Sequence, residues 1–296
     1  MCVPSDLLKI NYFQMKKLLL VIVGLLSVTI LFAQNLSTQQ IIEKMLESIY
    51  KVKTASFTQR SWERFKDKTI YAEDFQKINV SPLKFYDYNL KPNKGIEVLF
   101  DAEKNAKSAN VNPNGFPWTN LSLDPNGSLM HKDQHHALYD AGFSFLANII
   151  KNAYTKALGL GFENIFSLQK DTIYEGHTCY VVKIAAPNYR NIDYTVKANE
   201  TLITIAHKNM LNEYQILIQN PSLSDYDDVN AGDVIKIPSA YAKITYLIID
   251  TTSFIPWAQK MYDDKGLFER YEYTNLKLNP SFSPTEFTED FDGYHF

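Results

Sequence analysis

Three histidines fall within six residues, His131-Lys132-Asp133-Gln134-His135-His136, the one cluster in the chain whose types and spacing could ligate a metal. His131 and His135 are four apart, which would align them on a helix. A hydrolytic zinc motif needs Glu directly after the first His, and Lys132 stands there instead. Asn126-Gly127 nearby signals a loop. The segment is therefore expected to be a polar loop, with His136 packed beside Gly142-Phe143 and no metal bound. No serine elbow, P-loop or dinucleotide fingerprint occurs. Asp124, Asp133, Asp140, Asp250, Asp263 and Asp264 read as turn residues. Trp62, Trp118 and Trp257 could stack on sugars, but each also fits a core or interface. Cys179 opens an apolar strand-like run, Cys179 to Val182, and is expected to be a buried, inert thiol. With Cys2 as its only companion it builds neither a disulfide framework nor a cysteine zinc site. No catalytic residue and no cofactor is expected.

The elements that must position any site begin after an export signal. Met15-Lys16-Lys17 precedes an unbroken apolar run from Leu18 to Ala33. A short cationic start, an apolar core and a small final residue make a secretory signal peptide. Its 16 residues fall short of the roughly 20 that span a bilayer. Cleavage is expected after Ala33, with residues 1–14 an extension ahead of a true start at Met15. No Cys lies between 2 and 179 to take a lipid anchor, so the mature chain is expected free in an exported, periplasmic compartment. Its charge would be −5: the whole chain carries −3, and residues 1–33 remove Lys9, Lys16 and Lys17 against Asp6. Charged residues at 21% and hydrophobic ones at 45% exclude a disordered chain. Thirty basic against 33 acidic residues leave no basic excess for nucleic acid. Aromatics at 14% lean towards strands.

Ser37 to Tyr50 reads as a helix, with Ile41, Ile42, Met45, Leu46 and Ile49 at helical spacing. Ala55–Phe65, Thr69–Val80, Leu83–Leu90 and Ile96–Asp101 read as consecutive antiparallel strands between turn signals. Residues 110–126 read as loop. A second helix is predicted over Gly142–Leu158, and strands resume at Phe166–Tyr174, His177–Ala185, Lys243–Asp250, Phe254–Tyr262 and Leu267–Leu278. Several strands carry apolar groups on both faces, which predicts a curved sheet whose concave side is apolar and partly covered by helices.

Tyr194 to Pro238 stands apart as strand, helix, helix, strand. Leu202, Ile205 and Ala206 face inward from the first helix, Ile216 and Leu217 from the second, and Asn220-Pro221 breaks it. With Tyr194, Val196, Thr201, Gly232 and Ile235-Lys236-Ile237-Pro238, this segment resembles a LysM module. Asn199-Glu200 departs from that family's usual Gly-Asp, though Asn tolerates the left-handed backbone the turn needs. The resemblance implies peptidoglycan as partner, its N-acetylated glycan lying between Asn199, Glu200 and Thr201 on one loop and Asn220, Pro221 and Ser222 on the other.

Without the insert, His177–Ala185 and Lys243–Asp250 face each other as hairpin partners, so the insert sits at a hairpin tip. This divides the chain into 1–33 (extension and signal peptide), 34–190 plus 240–296 (one β domain) and 191–239 (insert). Ala55-Ser56-Phe57-Thr58-Gln59, Gly95 to Phe100, Asp250 to Pro256 and Tyr271 to Leu276, in this order after an N-terminal helix, resemble the LolA-type lipoprotein-carrier fold. The implied class is α+β: a LolA-like curved antiparallel half-barrel with covering helices and an inserted βααβ LysM module. The same resemblance implies an apolar cavity for lipid or lipoprotein acyl chains, for which Phe57, Trp62, Phe85, Val98 and Tyr273 are the expected lining. The expectation is a non-enzymatic exported binding protein. A cell-wall adaptor without lipid cargo is the second reading, and a cell-wall hydrolase the third.

Overall fold

The first helix follows its apolar spacing closely. In a computed structural model, which describes residues 36–66 and 68–296, α1 spans Thr38–Tyr50 and buries the five residues its period selects, Ile41, Ile42, Met45, Leu46 and Ile49. The signal-peptide features lie outside the described residues. Four long strands follow with their predicted turns: β1 (Thr54–Phe65), β2 (Lys68–Asn79), β3 (Lys84–Lys91) and β4 (Glu97–Asp101). After a single helical turn, α2 (Ala102–Asn105), come β5 (Ala109–Asn112) and β6 (Leu121–Leu123). These two short strands occupy part of the segment expected to be loop. They pair antiparallel beside β4 and end the sheet on that side.

Helix α3 (Ser144–Leu160) ends at Gly161, whose φ of +88° suits glycine alone among common residues. Then come β7 (Phe166–Leu168), β8 (Thr172–Tyr174) and β9 (His177–Ala185). The inserted segment supplies β10 (Asn191–Thr195), α4 (Leu202–Asn209), α5 (Glu213–Gln219) and β11 (Val234–Pro238). The chain closes with β12 (Ile244–Asp250), β13 (Pro256–Asp263) and β14 (Gly266–Leu278).

Twelve of the described strands form one antiparallel sheet. Its order is β6-β5-β4-β3-β2-β1-β14-β13-β12-β9-β7, with β8 also on β9. The hairpin inferred across the insert is present: Ile244 stands opposite Ala185 and the pairing runs on to Asp250 and Cys179. The β13–β14 hairpin turns through Asp264-Lys265 between paired Asp263 and Gly266. The fold is thus the expected α+β arrangement of a large curved antiparallel sheet with covering helices.

Strands β10 and β11 pair only with each other among the described strands. With α4 and α5 they enclose a separate small core of Val196, Leu202, Ile205, Ala206, Leu211, Ile216, Ile235 and Ile237. The C-terminal segment 279–296 lies against Tyr86 and Leu99, on the sheet face opposite Phe85 and Val98. Tyr294 stacks on Tyr86 at 3.7 Å, and Lys77 sits 4.4 Å from the Phe291 ring while pairing with Glu286. Cys179 is free and fully buried, and burial pushes its thiol up to about 11. That keeps it protonated and unreactive at neutral pH. No helix among the described residues is long and apolar enough to cross a membrane.

Candidate functional site

The sheet curves around a cavity of about 660 Å³. Strand parity decides what faces it, because alternate residues point to opposite sides. From β1 the inward set is Gln59, Ser61 and Glu63; from β2, Ala72, Asp74 and Gln76; from β3, Phe85, Asp87 and Asn89. The opposite wall comes from α3 and the segment before it, through Leu138, Phe145, Leu146 and Ile149. The cavity is therefore mixed: Phe85, Val98, Met261 and Tyr273 keep part of the concave side apolar as expected, while a polar stripe on β1, β2 and β3 crosses its floor. The reason lies in register: Asp87 and Asn89 share the inward parity of Phe85, while Tyr86 and Tyr88 point outward.

Of the five expected lining residues, Phe85, Val98 and Tyr273 lie on the wall. Phe57 has the inward parity but is fully buried at one end, packed on Phe143 (5.7 Å) and Tyr273 (5.2 Å). Trp62 has the opposite parity and packs on Tyr71 at 4.9 Å with Arg270 4.4 Å over its ring. Trp118 is exposed, and Trp257 packs on His177 at 4.1 Å.

On the floor, Asn89 Nδ2 donates to Asp74 Oδ1 (2.8 Å) and Gln76 Nε2 donates to Asp87 Oδ1 (3.0 Å). Burial and the neighbouring Asp87 charge push Asp74 up to about 9, and burial pushes Asp87 up to about 7. Two neighbouring carboxyl groups on this half-enclosed face cannot both ionise readily, so Asp74 holds its proton at neutral pH.

The inserted module docks against the segment 131–140, other residues of which line the trough. The sequence placed residues 131–136 in a polar loop; the structure buries His135 completely and His131 almost so. His135 N donates to Glu63 Oε2 at 3.0 Å, and its Nδ1 lies 3.0 Å from Glu269 Oε2. Its ring stacks between Phe268 (4.4 Å) and the module's Tyr214 (4.8 Å). His136 packs against Phe145 and Tyr241 rather than beside Gly142-Phe143, with Nε2 2.9 Å from the Tyr241 hydroxyl. Burial opposes charge on His136, but the Glu269 charge and the nearby carboxylates of Asp140 and Glu269 outweigh it and raise its pKa well above the usual value.

Asp140 is no simple turn residue. It lies 3.6 Å from His136 Nδ1 and 3.0 Å from His207 Nε2, and these partners hold it low despite burial. Asp124, Asp250 and Asp263 do serve turns, accepting from the backbones of Asn126, Ser253 and Lys265.

From α5, Glu213 Oε1 accepts from Ala137 N (3.0 Å), Tyr214 Oη accepts from Lys66 N (3.1 Å), and Gln215 donates to Tyr189 Oη (2.9 Å). The module is thus docked on the sheet domain by one buried helix end. Sequence reading missed this seam because its partners are far apart in the chain. Glu63, Glu213 and Glu269 carry no local motif; their one signal is a charged residue inside an apolar element.

On the module, Asn199 has the left-handed φ of +62° its turn requires. Glu200 accepts from Tyr194 Oη (2.9 Å), Lys197 N (2.9 Å) and Lys208 Nζ (2.8 Å), and the Lys208 bond leads in holding its carboxyl at about 2. Thr201 caps α4 in a reciprocal box with Thr204. Asn220 donates to Ile216 O and Lys236 O and accepts from Lys236 N, each at 2.8 Å. Of the six residues implied for glycan contact, Asn199, Pro221 and Ser222 keep exposed side chains, while Glu200, Thr201 and Asn220 are engaged internally. Asn220→Ala is expected to cost about 2 kcal/mol, since three hydrogen bonds at a buried strut go at once. Hydrogen exchange over 194–238 should accelerate while the sheet strands stay protected. Unchanged protection there would refute the strut role.

No curated protein matches the chain. Among solved structures, the Mycobacterium tuberculosis lipoprotein LppX is 9% identical, with 83% of this chain and 97% of that one covered at a TM-score of 0.39. LprF from Mycobacterium bovis is 12% identical, covering 84% and 96% at 0.40. A LolA superfamily protein from Nitrosomonas europaea is 11% identical, covering 86% and 99% at 0.30. Likenesses this distant do not establish a shared function. The profile of the LysM domain matches residues 194–238, the strand-helix-helix-strand unit described above. Residues 50–215, more than half of the sequence, match the profile of DUF1571, a protein family of unknown function, and the chain belongs to that family.

Proposed function

We propose that this chain is an exported, non-enzymatic envelope protein that holds a lipid, or the acylated end of a lipoprotein, in its trough and meets peptidoglycan through its LysM module. The observation that carries the reading is the trough: about 660 Å³ between the sheet and α3, within the range of small-molecule sites. Its two-sided wall suits an amphiphile better than a bare hydrocarbon. Acyl carbons would run along Leu138, Phe145, Leu146 and Ile149, each buried methylene contributing about 0.8 kcal/mol. A polar head or amide would meet Asp74, Asp87 and Asn89 on the floor.

Native mass spectrometry of gently purified protein tests the trough. Co-purified acyl mass supports the reading. A bare polypeptide, also after incubation with lipid vesicles, counts against it. Glycan contact is tested separately by sedimentation with insoluble peptidoglycan. Deleting the module would strip Tyr214 from the sheet domain, so the comparison uses Pro221→Glu with Ser222→Glu, which alter only exposed loop positions. Equal sedimentation of both proteins would remove that loop from the site. The second reading, a wall adaptor without lipid cargo, draws on the polar trough floor, and the same mass spectra separate the two.

A further inference from the structure

We propose that the seam between the module and the sheet domain binds one divalent first-row transition-metal ion through His136 Nδ1, Asp140 Oδ2 and Glu213 Oε2. One donor atom from each residue lies within 4.8 Å of the others. His136 Nδ1 and Asp140 Oδ2 are 3.6 Å apart. Neighbouring ligands around a tetrahedral zinc with bonds of ~2.0–2.1 Å are about 3.4 Å apart, so the His136–Asp140 pair already has a ligand spacing and Glu213 has at most about 1.4 Å to close.

The second observation is independent of proximity. Glu213 is completely buried, yet its Oε2 has no hydrogen-bond partner, and the buried His136 Nδ1 has none either. Leaving such groups unmatched is costly, and an ion between them removes the cost at both ends. The other contacts of these residues resemble those around metal ligands. His136 Nε2 meets the Tyr241 hydroxyl at 2.9 Å and Glu269 Oε2 at 3.5 Å, and Ala137 N fixes Glu213 Oε1. His207 Nε2 meets Asp140 Oδ2 itself at 3.0 Å, so that oxygen would hold the ion with its second lone pair. His131 Nε2, 3.6 Å from Glu213 Oε1, lies outside the three-ligand group. A ligating His136 gives up its proton to the solvent when the ion binds, and the dication then takes over the balancing of the Asp140 and Glu269 carboxylates. One imidazole and two carboxylates suit zinc, iron or manganese and are too few and too nitrogenous for a calcium cage.

The ligands come from both parts of the protein: Glu213 from the module, His136 and Asp140 from the wall of the trough. A bound ion would staple the module to the trough wall. The test uses untagged full-length protein stripped with chelator and titrated with zinc, and with cobalt for its visible spectrum. The expected result is one ion per chain and a Tm rise of about 5–10 °C at free zinc a hundredfold above Kd. Asp140→Asn and Glu213→Gln should each bind at least tenfold more weakly, while His177→Ala, remote and half-exposed, should bind as the parent does. Substoichiometric uptake by the parent with no Tm change overturns the proposal, whether or not the variants fold. So does parental affinity in both carboxamide variants, which would put the ion elsewhere.

Discussion

Replacing Asp74 and Asp87 together by Asn should make the protein about 2–4 kcal/mol more stable at pH 8 and nearly abolish the advantage at pH 4. Both carboxyls are raised in the folded protein, to about 9 and about 7, from ordinary values near 4. Below pH 4 folded and unfolded chains are both protonated and nothing is gained or lost. Between pH 4 and 9 the unfolded chain has released protons that the folded chain still holds, so stability falls as pH rises through that window. A tenfold difference in proton affinity between the folded and unfolded chain corresponds to about 1.4 kcal/mol. Taken in full, the two raised carboxyls would exceed the stated range, but water in the open trough screens the pair. The amides keep the bonds from Asn89 and Gln76, since each retains a carbonyl oxygen at the accepting position. Chemical denaturation of parent and variant at pH 4, 6 and 8 checks this. A difference that stays constant across pH would sink it. The same titration bears on cargo: an apolar chain should be held more firmly over the protonated floor, and the double variant should keep any acyl ligand at pH 9 that the parent releases.

That floor marks where sequence reasoning ends. Helix α1, the order of the long strands, the hairpin bridging the insert and the small βααβ core were all legible, because each follows from local periodicity or turn chemistry. Strands β5 and β6 were not. Asn112-Pro113-Asn114-Gly115 is a loop signal, yet Asn110 and Val111 on its flank pair with Ser122 and Leu121 only because β4 offers an open edge. Asp74, Gln76, Asp87 and Asn89 alternate along two strands, a pattern that reads equally well as a solvent face; only the covering helix α3 turns it inward. The histidine cluster was visible but misplaced. His135 finds Glu63 and Glu269 at separations of 72 and 134 residues, and no pattern along the chain announces such partners.

The second large effect belongs to Glu269. Its carboxylate is completely buried and draws contacts from both sides of the seam: His135, Tyr241 and Tyr271 from the sheet domain and its flanking segments, and Asn212 from the N-terminus of α5. Burial pushes the carboxyl up, but the His136 charge and the His135 hydrogen bond outweigh this and hold it at about 2, fully ionised. Glu269→Ala would remove one partner of a buried pair and leave the histidines facing an uncompensated void. Such losses cost about 3–5 kcal/mol, which for a domain of this size lowers Tm by roughly 6–20 °C. Glu269→Gln keeps the shape and part of the hydrogen bonding, so a loss nearer to about 1–3 kcal/mol is expected. Thermal melts followed by circular dichroism distinguish these outcomes; a Glu269→Ala Tm within about 2 °C of the parent would refute the hub. Because Asn212 sits on the module, a cycle with Asn212→Ala should also show a coupling of about 0.5–3 kcal/mol. That coupling would mean the module and the trough unfold as one cooperative body. Glycan contact on the module and occupancy of the trough would then share a single mechanical frame.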